Sequence, residues 1–247
     1  MAVYAVFGSG GGLGEALVRA LYERDPEAEI HGFSRRPCPD QLADITNLIW
    51  HQYTGEVLDA AAAAVQKWQQ EGVFLNGVIS TIGWLHRIDA DHGEWQPERR
   101  LEQLNSEQLQ EYFRVNATIP ALLIQILKPV LAKKKRCFVV QLGAKVGSIG
   151  DNQLGGWYGY RASKAALNML FKTAAIELKR THKLLTLAVI HPGTTDTPLS
   201  EPFQDRLPKD KLYSPEQSAQ RICSVIWNLT PQESGDFWFW DGERLPW

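Results

Sequence analysis

Val3-Tyr4-Ala5-Val6-Phe7-Gly8-Ser9-Gly10-Gly11-Gly12-Leu13-Gly14 joins five apolar residues to a run in which five of seven positions are glycine. Val3–Phe7 has the content of a buried strand. Leu13, Leu17 and Leu21 then recur along one helical stripe. Strand, glycine turn and helix in that order open folds that bind dinucleotides. Glycines let the backbone close on a pyrophosphate, and the helix start offers free N–H groups and positive dipole. The spacing is G-x-x-x-G-x-G, at Gly8, Gly12 and Gly14; a G-x-G-x-x-G ending at Gly14 would need glycine where Ser9 stands. A flexible glycine turn that holds nothing is the competing reading.

Outward from that stretch, apolar strand-like runs alternate with helical patterns to the end of the chain. Strands are expected at 28–33, 48–51, within 73–82, and at 136–142, 184–190 and 237–240. Helices are expected at 56–70, at 106–131 with Ser106 as cap and a kink at Pro120, and at 165–178 and 215–228. Near-continuous apolar strands alternating with helices imply a parallel sheet covered on both faces. The expectation is a single α/β domain over 1–247, a Rossmann fold with a doubly wound parallel sheet of about seven strands. Two stretches read as irregular: 84–105, with His86, His92 and several acids, and a loop at 199–212 that reads as mobile. Ligands of such sheets lie at the carboxyl ends of the strands, where Gly8, Ser34, Gly83, the 143–148 loop and Pro192 all fall.

The net charge of -2 offers nothing to nucleic acid or an anionic membrane. The basic run Lys133-Lys134-Lys135-Arg136 reads as a helix C-terminus. No apolar run approaches the ~18 residues of a membrane span, and no signal peptide is expected. Cys38, Cys137 and Cys223 are few and far apart, and the six histidines form no ligand spacing. A reduced, cytoplasmic protein without a metal is therefore expected.

Two further patterns carry chemistry. Ser34, twenty positions after Gly14, stands where an acid would bind ribose hydroxyls. A hydroxyl followed by Arg35 and Arg36 suits a 2′-phosphate instead, because guanidinium makes forked bonds to phosphate. NADP(H) is expected over NAD(H), against the alternative of two solvated arginines. Tyr160 and Lys164 lie one helical turn apart, and a nearby ammonium favours a phenolate. That is a route to a tyrosine acting as acid or base. An ordinary helix start with a half-buried tyrosine and a solvated lysine is the alternative for that pair alone.

These residues together resemble the short-chain dehydrogenase/reductase family from Ala2 to nearly the C-terminus. The family's T-G-x-x-x-G-x-G lies over Phe7–Gly14, with Phe7 for threonine. Its N-N-A-G lies over Ser80-Thr81-Ile82-Gly83, keeping only the glycine. Its helix asparagine is Asn116, its Y-x-x-x-K is Tyr160 to Lys164, and its P-G is Pro192-Gly193. Val146–Asn152, the Gly155–Tyr158 stretch and Trp240–Trp247 resemble the bacterial C-factor-like branch, associated with cell–cell signalling and akin to sniffer-type carbonyl reductases.

The resemblance implies a hydride transfer between NADP(H) and a small carbonyl or alcohol substrate. Tyr160 would be the proton donor or acceptor, and Lys164 would lower its pKa and hold the nicotinamide ribose. Asn116 would anchor a relay water. Gly8, Ser9, Gly10, Gly11, Gly12, Leu13, Gly14, Ser34, Arg35, Arg36, Gly83, Pro192, Gly193, Thr195 and Thr197 would line the cofactor. A homodimer or homotetramer through the long helices is implied as well. One motif departs: the family's Ser-Ser after the fifth strand falls on Gly143-Ala144. Either that serine is lost or Ser148, twelve residues before Tyr160, supplies the oxyanion donor. The alternative function is a cofactor-binding signalling or regulatory protein with weak or no turnover. The substrate pocket is expected from 84–105, 148–158 and 199–212, although Trp157, Phe203 and Trp247 are more often packing residues.

Overall fold

The computed structural model describes every residue except Ala90, Asp91, His92 and Leu207. Seven strands form the sheet: β1 (Val3–Phe7), β2 (Glu29–Ser34), β3 (Leu48–Gln52), β4 (Gly77–Ser80), β5 (Cys137–Leu142), β6 (Leu185–His191) and β7 (Asp236–Phe239). Their spatial order is β7-β6-β5-β4-β1-β2-β3, and every neighbouring pair is parallel. The reversal between β1 and β4 is the switch point of a doubly wound sheet.

Six main helices follow the strands: α1 (Gly12–Arg24), α2 (Val57–Glu71), α3 (Ser106–Phe113), α4 (Ile119–Leu127), α5 (Tyr158–Leu178) and α6 (Pro215–Asn228). Strand side chains alternate between faces, and each face has its own core. Ala5 and Phe7 of β1 pack with α2, α4 and α5, whereas Tyr4 and Val6 pack with α1 and α6. The near-continuous apolar strands are the direct result of that double coverage.

Several local expectations needed correction. Asn105, not Ser106, caps α3: its Oδ1 accepts the N–H groups of Glu107 and Gln108, both at 2.9 Å. The long helix is interrupted before Pro120 rather than at it. A π-helical turn, Arg114–Thr118, joins α3 to α4, and Pro120 sits harmlessly in the first turn of α4. In the basic run, Arg136 closes a different helix from the one expected. Its guanidinium donates to the carbonyls of Ile226, Trp227 and Leu229 at the end of α6.

The 84–105 stretch holds a small antiparallel ribbon, Arg87–Asp89 with Gly93–Trp95. His92 lies outside the described residues. The 199–212 stretch is wound into 3₁₀ turns at Glu201–Arg206 and Lys209–Lys211 rather than being irregular, with Leu207 outside the described residues. Leu212–Tyr213 then pairs with Thr194–Thr195.

Candidate active site

The glycine turn is shaped by what cannot fit there. Gly8 is left-handed, at φ 83°, and its N–H and that of Ser9 both donate to the Phe33 carbonyl, tying the turn to the end of β2. A Cβ on Gly14 would overlap the Gly8 carbonyl oxygen, and one on Gly10 would overlap Ser34 Oγ. Gly11 caps α1 without a side-chain acceptor, so the first-turn amides face outward. Exposed Gly11 and Gly12 stand at this mouth, while the Leu13 side chain is buried and contributes only backbone there. Ser9 Oγ is buried without a hydrogen-bond partner among the described residues.

Ser34 stands beside this turn, nearly buried, and its Oγ accepts the Arg36 N–H at 2.9 Å. The Arg35 and Arg36 carbonyls accept from Gln52 and Trp50 of β3, which fixes the backbone beneath two exposed guanidiniums. Arg36 Nη1 reaches the Gly10 carbonyl at 3.4 Å. Arg36 therefore borders the glycine turn.

Asn116 is fully buried in the π-helical turn. Its amide accepts the Trp84 N–H at 2.8 Å and donates to the Trp84 carbonyl at 2.9 Å and to Ser163 Oγ at 3.1 Å. The side chain thus clamps the chain leaving β4 against α5. A Cβ on Gly83 would lie 3.5 Å from Lys164 Nζ and 3.6 Å from Asn116 Oδ1, so these three residues share one corner.

Lys164 is buried, with Nζ donating to the Leu142 carbonyl at 3.2 Å and lying 5.7 Å from the centre of the Tyr160 ring. Burial pushes its ammonium down to about 8. Tyr160 is also buried. Desolvation, reinforced by Tyr112, pushes the phenol up rather than down, and Lys164 does not offset it. Tyr160 therefore stays protonated at neutral pH, the form that donates to a carbonyl being reduced. Its hydroxyl makes no hydrogen bond to the described residues.

Ala144 and Val146 pack against the cluster of Leu85, Tyr112 and Tyr160. Ser148 is buried at the end of a 3₁₀ turn (Lys145–Gly147), and its Oγ accepts the Asp151 N–H at 3.1 Å, closing a local turn. Ala144 thus packs against the cluster that holds Tyr160, while Ser148 Oγ is engaged in its own turn. Ser148→Ala is accordingly expected to leave kcat/KM unchanged. Ala144→Ser is expected to raise it, by up to the 10²–10³-fold that about one oxyanion donor is worth. Steady-state kinetics of the two variants checks this, and a crippled Ser148→Ala would restore Ser148 to the role.

At the end of β6, Pro192-Gly193 turns with Gly193 at φ 81°. Thr195 Oγ1 is bonded to Ser218 of α6 at 2.8 Å and buried, while Thr197 Oγ1 donates to the Thr195 carbonyl. Of this pair, Thr195 holds the loop to α6 and Thr197 stays nearer the surface. Trp157 lies 6.1 Å from Tyr160 and 4.9 Å from Phe203, ring centre to ring centre. His86 lies 6.0 Å from Phe203 and reaches the Pro198 carbonyl. Trp157 and Phe203 thus border Tyr160, whereas Trp247 stacks on Phe237 of the edge strand.

Sequence reasoning missed three residues here. Thr81 Oγ1 donates to the Phe7 and Gly8 carbonyls, both at 3.2 Å, bracing the glycine turn from β4. His191 is held neutral, pushed down to about 3 by burial and by Lys145 and Lys164, and its Nδ1 lacks a partner among the described residues. Glu98 is buried against the start of α5. A threonine in a departed motif could have been found by its place after β4; the other two carry no sequence signal.

The chain's residues 2–207 match the family model for short chain dehydrogenase. It is 31% identical to the 1-hydroxy-2-glutathionyl-2-methyl-3-butene dehydrogenase of Rhodococcus sp. (strain AD45), over 78% of this chain and 76% of that protein. It is also 31% identical to C-signal of Myxococcus xanthus, over 55% of this chain and 76% of that protein. Among solved structures, carbonyl reductase Sniffer of D. melanogaster superposes with a TM-score of 0.82 at 20% identity, covering 100% of this chain and 99% of that one. The NADPH-bound carbonyl reductase from chicken fatty liver gives 0.83 at 21% identity, covering 100% and 94%. The chain belongs to the short chain dehydrogenase family. It is an oxidoreductase with C-signal among its relatives, and it shares the fold of Sniffer.

Proposed function

We propose that this protein is an NADP(H)-dependent reductase of a small carbonyl compound, working through Tyr160. The observation that carries the reading is the corner at Gly83. Lys164 and Asn116 are gathered there, at the carboxyl ends of β4 and β5, with the Tyr160 ring 5.7 Å from Lys164 Nζ, beside a glycine turn bordered by Arg36. The residues present fit a dinucleotide, because the overlaps at Gly10 and Gly14 show a turn that only glycine allows to close. The first-turn amides of α1 would hold the pyrophosphate, and the two arginines a 2′-phosphate. Lys164 and the loop Pro192–Thr197 would hold the nicotinamide end. When bound, the cofactor supplies the hydride.

The chain's own part begins with Tyr160, which gives its proton to the substrate oxygen. Lys164 keeps an ammonium beside that oxygen, and Trp157 and Phe203 shield it from water. The NADPH named for the chicken fatty liver enzyme agrees with Arg35 and Arg36. A homodimer or homotetramer through α4 and α5 is part of the proposal, since Leu122, Met169 and Ile176 are exposed on them. So is a cytoplasmic site. Its support is three unpaired cysteines; no helix among the described residues is long and apolar enough to cross a membrane.

A second reading, a cofactor-binding protein with slow turnover, is favoured by one observation only, the alanine at position 144 beside the cluster that holds Tyr160. NADPH and NADH oxidation against a panel of aldehydes, ketones and diketones tests the proposal, with cofactor titrations of wild type and Arg35→Ala. NADPH is expected to bind more tightly than NADH, and Arg35→Ala to lose that preference. Equal or tighter NADH binding by the wild type overturns the cofactor assignment, and NADPH binding without turnover establishes the second reading.

A further inference from the structure

The helix that carries Tyr160 and Lys164 begins without a cap of its own. Its N-cap residue is Trp157, whose side chain accepts nothing. The chain reaches it through three consecutive left-handed residues: Gly155 and Gly156 at φ 65° and Trp157 at φ 55°. Trp157 is the only residue other than glycine with positive φ among those described. The first N–H groups of a helix have no partner inside it. Here they are met from the segment between β4 and α3. The Trp157 N–H donates to the Glu98 carbonyl, and the Gly159 N–H donates to Glu98 Oε2 at 3.2 Å.

Glu98 is 2% exposed, and its other oxygen, Oε1, has no hydrogen-bond partner among the described residues. A Cβ on Gly159 would lie 2.9 Å from that oxygen, so glycine at 159 is what lets the carboxylate come so close. A carboxylate at a helix N-terminus is favoured by the dipole. This one is set into a groove against Tyr112, whose ring is 6.0 Å from that of Tyr160 and whose hydroxyl donates to the Leu85 carbonyl.

We propose that Glu98 is the positioning residue for Tyr160: it caps the first turn of α5 from outside the helix and thereby fixes the phenol one residue beyond Gly159. The inference rests on the functional reading above and adds to it a residue that touches neither substrate nor cofactor. Its consequence is that the segment before α3 and the catalytic helix hold their places together. With the carboxylate removed, the Gly159 N–H loses its acceptor, while the Trp157 N–H keeps the carbonyl of residue 98 and Arg161 keeps those of Gly155 and Gly156. The first turn of α5 loosens at Gly159, and Tyr160 moves with it.

The test uses the whole chain with NADPH and a turned-over carbonyl. Glu98→Ala is expected to lower kcat by about 10²-fold, the loss that a displacement near 1 Å brings, with the NADPH dissociation constant unchanged. Glu98→Gln keeps an acceptor for the Gly159 N–H and is expected to restore most of kcat. Independently of activity, amide exchange at 157–161 is expected to rise in Glu98→Ala while the sheet stays protected. Wild-type kcat in Glu98→Ala overturns the proposal. So does a loss of kcat and cofactor affinity together that Glu98→Gln does not restore. Should Glu98→Ala not fold, Glu98→Met fills the same space without an acceptor for the Gly159 N–H, and wild-type kcat in that variant also overturns it. A wild type that oxidises no NADPH with any carbonyl sinks the functional reading. The exchange measurement then decides on its own whether Glu98 holds the helix start.

Discussion

Tyr160→Phe is expected to lower kcat by about 10²–10⁴-fold, the range that a lost general acid produces, and to leave NADPH binding and folding intact. Two features of the site make this a clean removal. The phenol hydroxyl has no hydrogen bond to the described residues, so phenylalanine leaves no buried partner unsatisfied. The ring keeps its edge contacts with Tyr112 and Trp157, which do not involve the hydroxyl. The raised pKa adds a direction: the proton is present through neutral pH, so the variant loses a donor and not a base. Stopped-flow or steady-state kinetics with a thermal melt of both proteins checks this. A fully active Tyr160→Phe would remove Tyr160 from the mechanism.

Gly14→Ala is expected to act on the other end of the crevice, through fold and cofactor together. Its methyl would overlap the Gly8 carbonyl oxygen and come within 2.8 Å of Ser9 Cα and 2.9 Å of the Gly8 carbonyl carbon. All three atoms are backbone, so no side chain can swing aside, and α1 must move away from the turn. Overpacking of this kind costs about 1–3 kcal/mol. The cofactor affinity is expected to fall about tenfold or more, since each ~1.4 kcal/mol is a factor of ten. Gly11→Ala is the control, with only the Gly8 carbonyl oxygen at 3.6 Å from its added carbon. Denaturant melts and calorimetric titration distinguish them; an unperturbed Gly14→Ala would mean that the turn is not a close-packed cradle.

Much of this was legible in the chain because long, strongly patterned stretches announce themselves. β1 and α6 lie where the apolar run and the Pro215 start place them, and the alternation of strands with helices implied the parallel sheet. Gly83, Asn116 and Lys164 lie at one corner, with the Tyr160 ring 5.7 Å from Lys164 Nζ. What was not legible falls into physical types. Strands of three residues, as in Arg87–Asp89, are too short to show a period. The π-helical turn at Arg114–Thr118 has the same residue pattern as a helix and differs only in its hydrogen bonds. Glu98 sat in a polar segment where an acid is unremarkable; only the folded chain shows it facing a helix start rather than solvent. The Tyr160 pKa was misjudged because sequence spacing gives the nearness of Lys164 but not the burial that outweighs it. Spacing made Ser148 a candidate oxyanion donor but could not show that its Oγ closes a turn with Asp151.

The central claim is that a hydride from NADPH reaches a carbonyl carbon while Tyr160 protonates its oxygen. Turnover of a ketone with NADPH carrying deuterium at the transferred position, followed by mass spectrometry of the alcohol, tests it most directly. Wild type is expected to place the label on the carbinol carbon, and Tyr160→Phe to do so far more slowly at the same cofactor occupancy. Cofactor that binds without any label passing to the alcohol, or equal transfer rates in the two proteins, would contradict it.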